Sequence, residues 1–245
     1  MINPRRCHLP PSGALLTALL ITLWLSGCAV NNDMTAQQRP EAADAYTELG
    51  VAYLERDNLR RALDALNRAL EIAPEHAEAL QAQALVYQRQ GEMVLAREHF
   101  QKALQNAPEF TQARNNFAAF LYEQGDYEAA CEQLETASQD ANYPRRSQLF
   151  TNLGQCYIAQ DQVDLARKAL QRAQQIDPRY SRSYYLLAEL EFSQGNESPA
   201  WQSIQTYLQL ATPDREALQM AIDIAYSHGE DSIADDYRRQ LDQIE

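Results

Sequence analysis

The sequence lacks the residue patterns that catalytic sites require. HExxH, CxxC, a glycine-rich phosphate loop and GxSxG are all absent, and the four histidines (His8, His76, His99 and His228) lie in different segments. Metal-assisted or nucleophilic catalysis needs such groups in a defined constellation. The carboxylates fall opposite the apolar stripes of the predicted helices, where solvated side chains are usual. We therefore expect no enzyme activity, no cofactor and no metal site.

Positive charge is also scarce. The chain has 21 Lys and Arg residues against 34 Asp and Glu residues, which gives a net charge of −13 at pH 7. An acidic body of this kind repels nucleic acid, because the phosphate backbone is itself negative. The composition therefore favours protein surfaces as partners.

The sequence contains one uninterrupted apolar run, which is shorter than a membrane-spanning helix requires. Residues 13–25 form thirteen uncharged apolar or small residues after Arg5 and Arg6, whereas a membrane-spanning helix needs about 20. This pattern predicts a signal peptide over residues 1–27. The sequence Leu-Ser-Gly-Cys that ends at Cys28 resembles the bacterial lipobox, in which the cysteine is acylated and becomes the new N-terminus. An ordinary cleavable signal with a chance cysteine is the alternative. Because Ala29 rather than Asp follows Cys28, the lipobox resemblance implies anchoring in the outer membrane, facing the periplasm.

An alanine recurs with a period of 34 residues through the rest of the chain. The spacings are 34, 34, 36, 34 and 34 for Ala62, Ala96, Ala130, Ala166, Ala200 and Ala234. An apolar residue follows four positions later in the first five units. A Gly or Asp precedes each alanine by five positions, and we expect the chain to turn there between the two helices of a unit. Residues 46, 49, 50 and 53 show the i, i+3, i+4, i+7 spacing of an amphipathic helix. The ladder resembles the tetratricopeptide repeat (TPR), so we predict an all-α superhelical solenoid of about six antiparallel helix pairs.

The period divides residues 43–245 into units, and the last unit is degenerate. The predicted units are 43–76, 77–110, 111–146, 147–180, 181–214 and 215–245. The third unit has two extra residues, which fall before Pro144. In the sixth unit Arg238 replaces the usual apolar residue, as expected of a polar terminal cap. Residues 28–42 are polar and aperiodic, and we predict a lipidated flexible tether there.

Two cysteines remain in the predicted repeats, Cys131 in the third unit and Cys156 in the fourth. They fall on helices that are neighbours in a TPR stack. In an oxidising compartment such a pair is read as a disulfide. Two independent buried thiols that act as small apolar residues are the alternative.

By resemblance to TPR arrays, positions 2, 5, 9, 12 and 13 of each unit line a concave groove. The groove is predicted to be polar and weakly acidic, with apolar residues at intervals, and such a surface can bind an extended or helical apolar peptide. Leu54, Leu85, Tyr122 and Phe192 are the candidate anchors; packing against neighbouring helices is the alternative role for each. The predicted partner-binding residues are Thr47, Val51, Leu54, Gln81, Leu85, Gln88, Asn115, Tyr122, Tyr185 and Phe192.

Three stretches carry a more specific resemblance: the lipobox, AYTELGVAYLERDNLRRALDALNRAL at 45–70, and ASQDANYPRRSQLFTNLGQC at 137–156. The last one spans the two extra residues and is not generic to TPR sequences. Together they resemble the PilF/PilW pilotin family of type IV pilus biogenesis lipoproteins. The C-terminal third matches more loosely.

The resemblance implies an outer-membrane lipoprotein that binds the pilus secretin and promotes its localisation and multimerisation, for pilus assembly and stability. We also expect the protein to be a monomer. A TPR scaffold for another envelope assembly, either a β-barrel insertion accessory or a peptidoglycan-enzyme adaptor, is the alternative.

Overall fold

The computed structural model describes residues 38–244, and within that range the chain is a stack of helix hairpins. The twelve helices of this range are α1 (Gln38–Glu55), α2 (Leu59–Ile72), α3 (Ala77–Gln90), α4 (Met93–Asn106), α5 (Thr111–Glu123), α6 (Tyr127–Ser138), α7 (Arg146–Ala159), α8 (Val163–Ile176), α9 (Ser181–Ser193), α10 (Glu197–Leu210), α11 (Arg215–His228) and α12 (Asp231–Leu241). They pair as six antiparallel units, so the predicted all-α TPR solenoid is confirmed. The signal peptide, Cys28 and residues 28–37 of the predicted tether lie outside the described residues.

The alanine ladder marks the point where the two helices of each unit cross. All six alanines are fully buried, and the apolar residues four positions later are at most 2 % exposed in the first five units. The crossing is closest in the first and fourth units, where a Cβ on Gly50 would lie 2.5 Å from Leu66 Cγ and one on Gly154 would lie 2.6 Å from Leu170 Cγ. A side chain at either position would therefore push the second helix away.

The turn inside each of the six units uses a residue in the left-handed region. Gly91, Gly125, Gly195 and Gly229 have φ between 73° and 84°, and Asp57 and Asp161 adopt φ of 55° and 58° at the equivalent positions of the first and fourth units. Short polar side chains tolerate this region better than other non-glycine residues do. The prediction that Gly or Asp turns the chain is confirmed.

The first helix begins earlier than the sequence pattern predicts. It starts at Gln38 and so takes in residues 38–42, which we had assigned to the tether. Pro40 is compatible with this start because it lies in the first turn, where no backbone N–H has an intrahelical acceptor.

The seven residues between α6 and α7 carry the insertion of the third unit, and they are held at both ends. Asp140 accepts hydrogen bonds from Thr111 Oγ1 (2.7 Å) and from the backbone N–H of Asn142 (2.9 Å). Tyr143 is buried in the central apolar cluster. The longer connection is therefore an ordered part of the junction between the third and fourth units.

The two ends of the stack differ in polarity. Tyr46 and Leu49 on α1 are 37 % and 44 % exposed. The residue of the third unit that is equivalent to Leu49, Phe117, is buried against Phe100 of the preceding unit. At the other end, α12 and the residue that follows it carry exposed aspartates where α2 has leucines that pack against α3. The leucines are Leu59, Leu63 and Leu70, and the aspartates are Asp231, Asp235 and Asp242.

Candidate binding groove

The first helices of successive units lie side by side along one surface. Each of α1, α3, α5, α7 and α9 contacts the first helix of the next unit, whereas among the described helices no second helix contacts another second helix. The first helices are therefore closer together and form the inner, concave side of the solenoid. This is the surface on which the sequence predicted the groove.

Four of the predicted groove residues are buried. Leu54, Thr47, Gln81 and Asn115 are between 4 % and 7 % exposed, and Leu54 packs in the cluster that joins the first two units. The geometry of the α-helix explains why Leu54 is buried, because successive residues are rotated by about 100° around the helix axis. Leu54 therefore lies only about 40° from Gly50, on the side that meets α2. Leu54 is a core residue, and the prediction that it anchors a partner is wrong.

The other predicted residues reach the surface to different degrees. Val51 is 37 % exposed. Gln88 donates a hydrogen bond to Glu123 in the next first helix (2.7 Å). Leu85 and Phe192 are half-buried against the apolar clusters beneath them. The accessible part of the groove is thus more polar than its apolar candidates indicate.

A cavity of ≈250 Å³ crosses the groove of the third, fourth and fifth units. Its lining residues are Ala118, Ala119, Tyr122, Glu123, Leu134, Asn152, Gln155 and Arg182. Hydrogen bonds join the helices across its floor: Asn152 Nδ2 donates to Asn115 Oδ1 (3.1 Å) and the Arg182 guanidinium donates to Gln155 Oε1 (3.0 Å). Amide groups, one guanidinium and a tyrosine can together bind the backbone and side chains of an extended peptide.

A second cavity, of ≈230 Å³, adjoins the first through Arg182. It is lined by Ser181, Arg182, Tyr185, Tyr207, Asp214 and Glu216. Sequence reasoning found Tyr185 but missed Tyr207, Asp214 and Glu216. These residues come from a second helix and from the start of the sixth unit, whereas the position rule considers first helices of the first five units.

A depression of ≈370 Å³ lies outside the groove, between α4 and α5. Its lining includes Met93, Val94 and Phe120, and Val94 is 81 % exposed. It is an alternative surface on which a partner could bind instead of the groove, and it provides a control position for tests of the groove.

The two cysteines of the repeats meet where α6 packs on α7. Their sulfur atoms lie 2.15 Å apart and their Cα atoms 5.6 Å apart, with 25 residues of sequence separation. The Cα distance is the usual one for a disulfide. Both side chains are buried, so the structure brings together the pair that the sequence predicted.

Within residues 38–244 no three His, Cys, Asp or Glu side chains are grouped as metal ligands. No helix in that range has the length and apolar character to cross a bilayer.

The sequence itself matches the tetratricopeptide repeat family over residues 109–179, and a second tetratricopeptide repeat description matches residues 33–77 and 47–109. Together with the stacked hairpins and the concave groove, this defines the class of the protein, a TPR solenoid. The type IV pilus assembly protein PilF of Pseudomonas aeruginosa is 33% identical over 229 residues, which cover 92% of this chain and 91% of PilF. The chain belongs to the PilF family, so the resemblance seen in the sequence is confirmed.

Solved structures agree with this assignment. The structure of Pseudomonas aeruginosa PilF superposes with a TM-score of 0.79 at 34% identity, covering 84% of this chain and 92% of that one. PilW, a type IV pilus biogenesis factor, superposes with a TM-score of 0.74 at 24% identity, covering 81% and 91%. MamA of Desulfovibrio magneticus shares the fold alone, with a TM-score of 0.60 at 21% identity over 69% of this chain and 94% of MamA.

Proposed function

We propose that this protein is a pilotin, an outer-membrane lipoprotein that binds the type IV pilus secretin and promotes its localisation and multimerisation. Membership of the PilF family supports a role in type IV pilus assembly. The cavity that crosses the first helices of units three to five is the observation that supports binding of a partner segment. The proposed role is one of protein binding, not catalysis.

Acylation of Cys28 would hold the solenoid at the outer membrane, on the periplasmic side. Several acyl chains together anchor a protein stably. Nine residues lie between Cys28 and Gln38, so the first helix would begin within about 35 Å of the lipid even with the chain fully extended. A Cys28→Ala variant should leave the secretin mislocalised, which membrane fractionation would detect.

Co-localisation is the mechanism by which such an anchor would help a ring to assemble. A secretin subunit held in the groove is kept at the membrane surface, and its next subunit meets it at a raised effective concentration. No chemical step is needed.

Exposed groove residues test this proposal better than the buried leucine at position 54. Val51→Glu combined with Arg182→Glu places new acids on α1 and α9, where both native side chains are exposed, so the fold should tolerate them. We expect secretin multimers, measured by immunoblot of outer membranes, to fall at least tenfold. The matched control is Val94→Glu, which introduces the same residue in the outer depression and should leave multimers unchanged.

Thermal unfolding followed by circular dichroism should be the same for all three proteins. Normal multimers in the Val51→Glu/Arg182→Glu strain would rule out the groove as the secretin site. Loss of multimers with Val94→Glu alone would move the site to the outer depression.

A further inference from the structure

We infer that the cavity between the fifth and sixth units binds a lysine or arginine side chain of an extended partner segment lying in the groove. This inference specifies the chemistry of the segment that the groove would bind. It rests on the proposed function only for the identity of the partner protein. The site is formed by the first helix of unit five, the second helix of unit five and the first turn of unit six.

Two tyrosines form the wall of this cavity. The rings of Tyr185 on α9 and Tyr207 on α10 meet edge to face, with centroids 5.3 Å apart. Both side chains are half-buried, so their faces are fixed by packing but remain in contact with the cavity. An aromatic face attracts a cation and also packs against an aliphatic stem.

Carboxylates surround the same two rings. Asp214 and Glu216 line the cavity, and Glu189 lies one helical turn after Tyr185 on α9. Burial raises the pKa of the Tyr185 phenol, and the negative charges of Glu189, Glu216 and Asp214 raise it further. Burial and Asp214 act in the same direction on the pKa of Tyr207, against a smaller opposing effect of Arg182. Three acids thus act on the Tyr185 phenol, and one of them, Asp214, also acts on the Tyr207 phenol.

Arg182 is the one cation among the lining residues. Its guanidinium donates to Gln155 on α7, which lies in the neighbouring cavity. Asp214 is also fixed, because its Oδ1 accepts the backbone N–H of Ala217 at the start of α11 (2.8 Å). The two carboxylates of the lining, Asp214 and Glu216, outnumber this one cation, and Glu189 adds a third acid close to Tyr185. The cavity therefore has an excess of negative charge, and an acidic side chain would be repelled from it.

Because Arg182 lines both cavities, a peptide segment is the kind of ligand that can occupy the two together. A chain lying across α7 and α9 would meet Asn152 and Gln155 with its backbone. One of its side chains would then enter between Tyr185 and Tyr207. A long basic side chain fits this position because its methylenes cover the rings while its charge ends near Glu189 and Glu216.

The test uses the full lipidated chain in detergent micelles and two probes. The probes are acetylated and amidated pentapeptides, Gly-Ser-Lys-Ser-Gly and the same peptide with norleucine at the centre. Binding is followed by NMR of ¹³C-labelled tyrosine rings, with Tyr185 and Tyr207 identified through their Phe variants. We expect the lysine peptide to bind about tenfold more tightly at low salt and to shift these two rings.

Removal of two of the charges should abolish this preference. In Glu189→Gln/Glu216→Gln the two peptides should bind within twofold of each other, while the control Glu128→Gln/Glu132→Gln, which removes two exposed acids of α6, should keep the tenfold ratio. Equal binding of both peptides to the unmodified chain, or shifts confined to other tyrosines, would overturn the inference. No secretin takes part in this titration, so a negative result leaves the pilotin proposal to the multimer assay.

Discussion

The carboxylate of Glu191 lies inside the protein between α8 and α9, and two residues donate hydrogen bonds to it. Arg167 donates to both carboxylate oxygens (2.5 and 3.1 Å) and Asn196 donates to one of them (2.6 Å). Burial opposes the charged form, but these hydrogen bonds outweigh it and hold the pKa of Glu191 below its ordinary value. The pair links the second helix of the fourth unit to the first helix of the fifth.

Replacing Arg167 by Met should therefore leave a buried carboxylate without its counter-charge. We expect the free energy of unfolding at pH 7 to fall by about 3 kcal/mol, the lower end of the range for breaking a buried pair. Urea denaturation measures this, and Arg172→Met, on the exposed side of the same helix, should change stability by less than about 0.5 kcal/mol. Equal effects of the two substitutions would show that the pair contributes nothing specific.

The same pair gives a pH dependence with a defined sign. The folded-state pKa of Glu191 lies below the unfolded value, which is about 4.3. Its stabilisation is thus fully present above the unfolded pKa and is lost as the pH falls through the folded pKa. The stability difference between the unmodified chain and Arg167→Met should accordingly shrink below about pH 4.

At the scale of the helix, α6 and α7 are joined by the predicted Cys131–Cys156 bridge. It closes a loop of 25 residues, and in the chain-entropy model such a link stabilises by about 3 to 4 kcal/mol. Cys131→Ala/Cys156→Ala should lower the unfolding free energy of the oxidised protein by about this amount. Dithiothreitol should destabilise the unmodified chain and leave the double variant unchanged. If the reductant changes neither protein, the cysteines are free thiols.

The helices themselves could be predicted because the 34-residue period repeats the same physical requirement in each unit. Ala62 and its five equivalents must be small where two helices cross, and they are fully buried. The start of α1 was missed because polar residues and Pro40 are as compatible with a first helical turn as with a tether.

The groove could be predicted only in part. The TPR groove positions (2, 5, 9, 12 and 13 of each unit) fall on both sides of each first helix. The rotation of α1 about its own axis decides that Val51 is accessible to solvent and Leu54 is not. The cavity between the fifth and sixth units could not be predicted, because the packing of three helices brings Tyr207 and Glu216 next to Tyr185. These residues have no characteristic spacing in the sequence.

At the scale of the whole molecule, the charged outer face of α12 should keep the protein monomeric. Asp235→Leu/Asp242→Leu introduces leucine on α12 and directly after it, at the positions where α2 has leucines, and so produces an apolar surface at this end of the stack. Sedimentation velocity of the detergent-solubilised chain should show monomers, and the double variant should associate in a concentration-dependent way. Glu128→Leu/Glu132→Leu, which adds two leucines elsewhere, should associate less. Association of the unmodified chain would contradict the assignment of α12 as a cap.

The unequal ends also bear on how an array of this kind can change in length. A hairpin fused ahead of α1 would meet Tyr46 and Leu49, which already have the character of an internal contact. A hairpin fused after α12 would meet Asp231, Asp235 and Asp242, and it would have to bury carboxylates that are exposed to solvent here in order to dock. Duplication of a repeat can thus extend this protein at its amino-terminal end or within the array, whereas growth beyond α12 first requires those aspartates to be replaced.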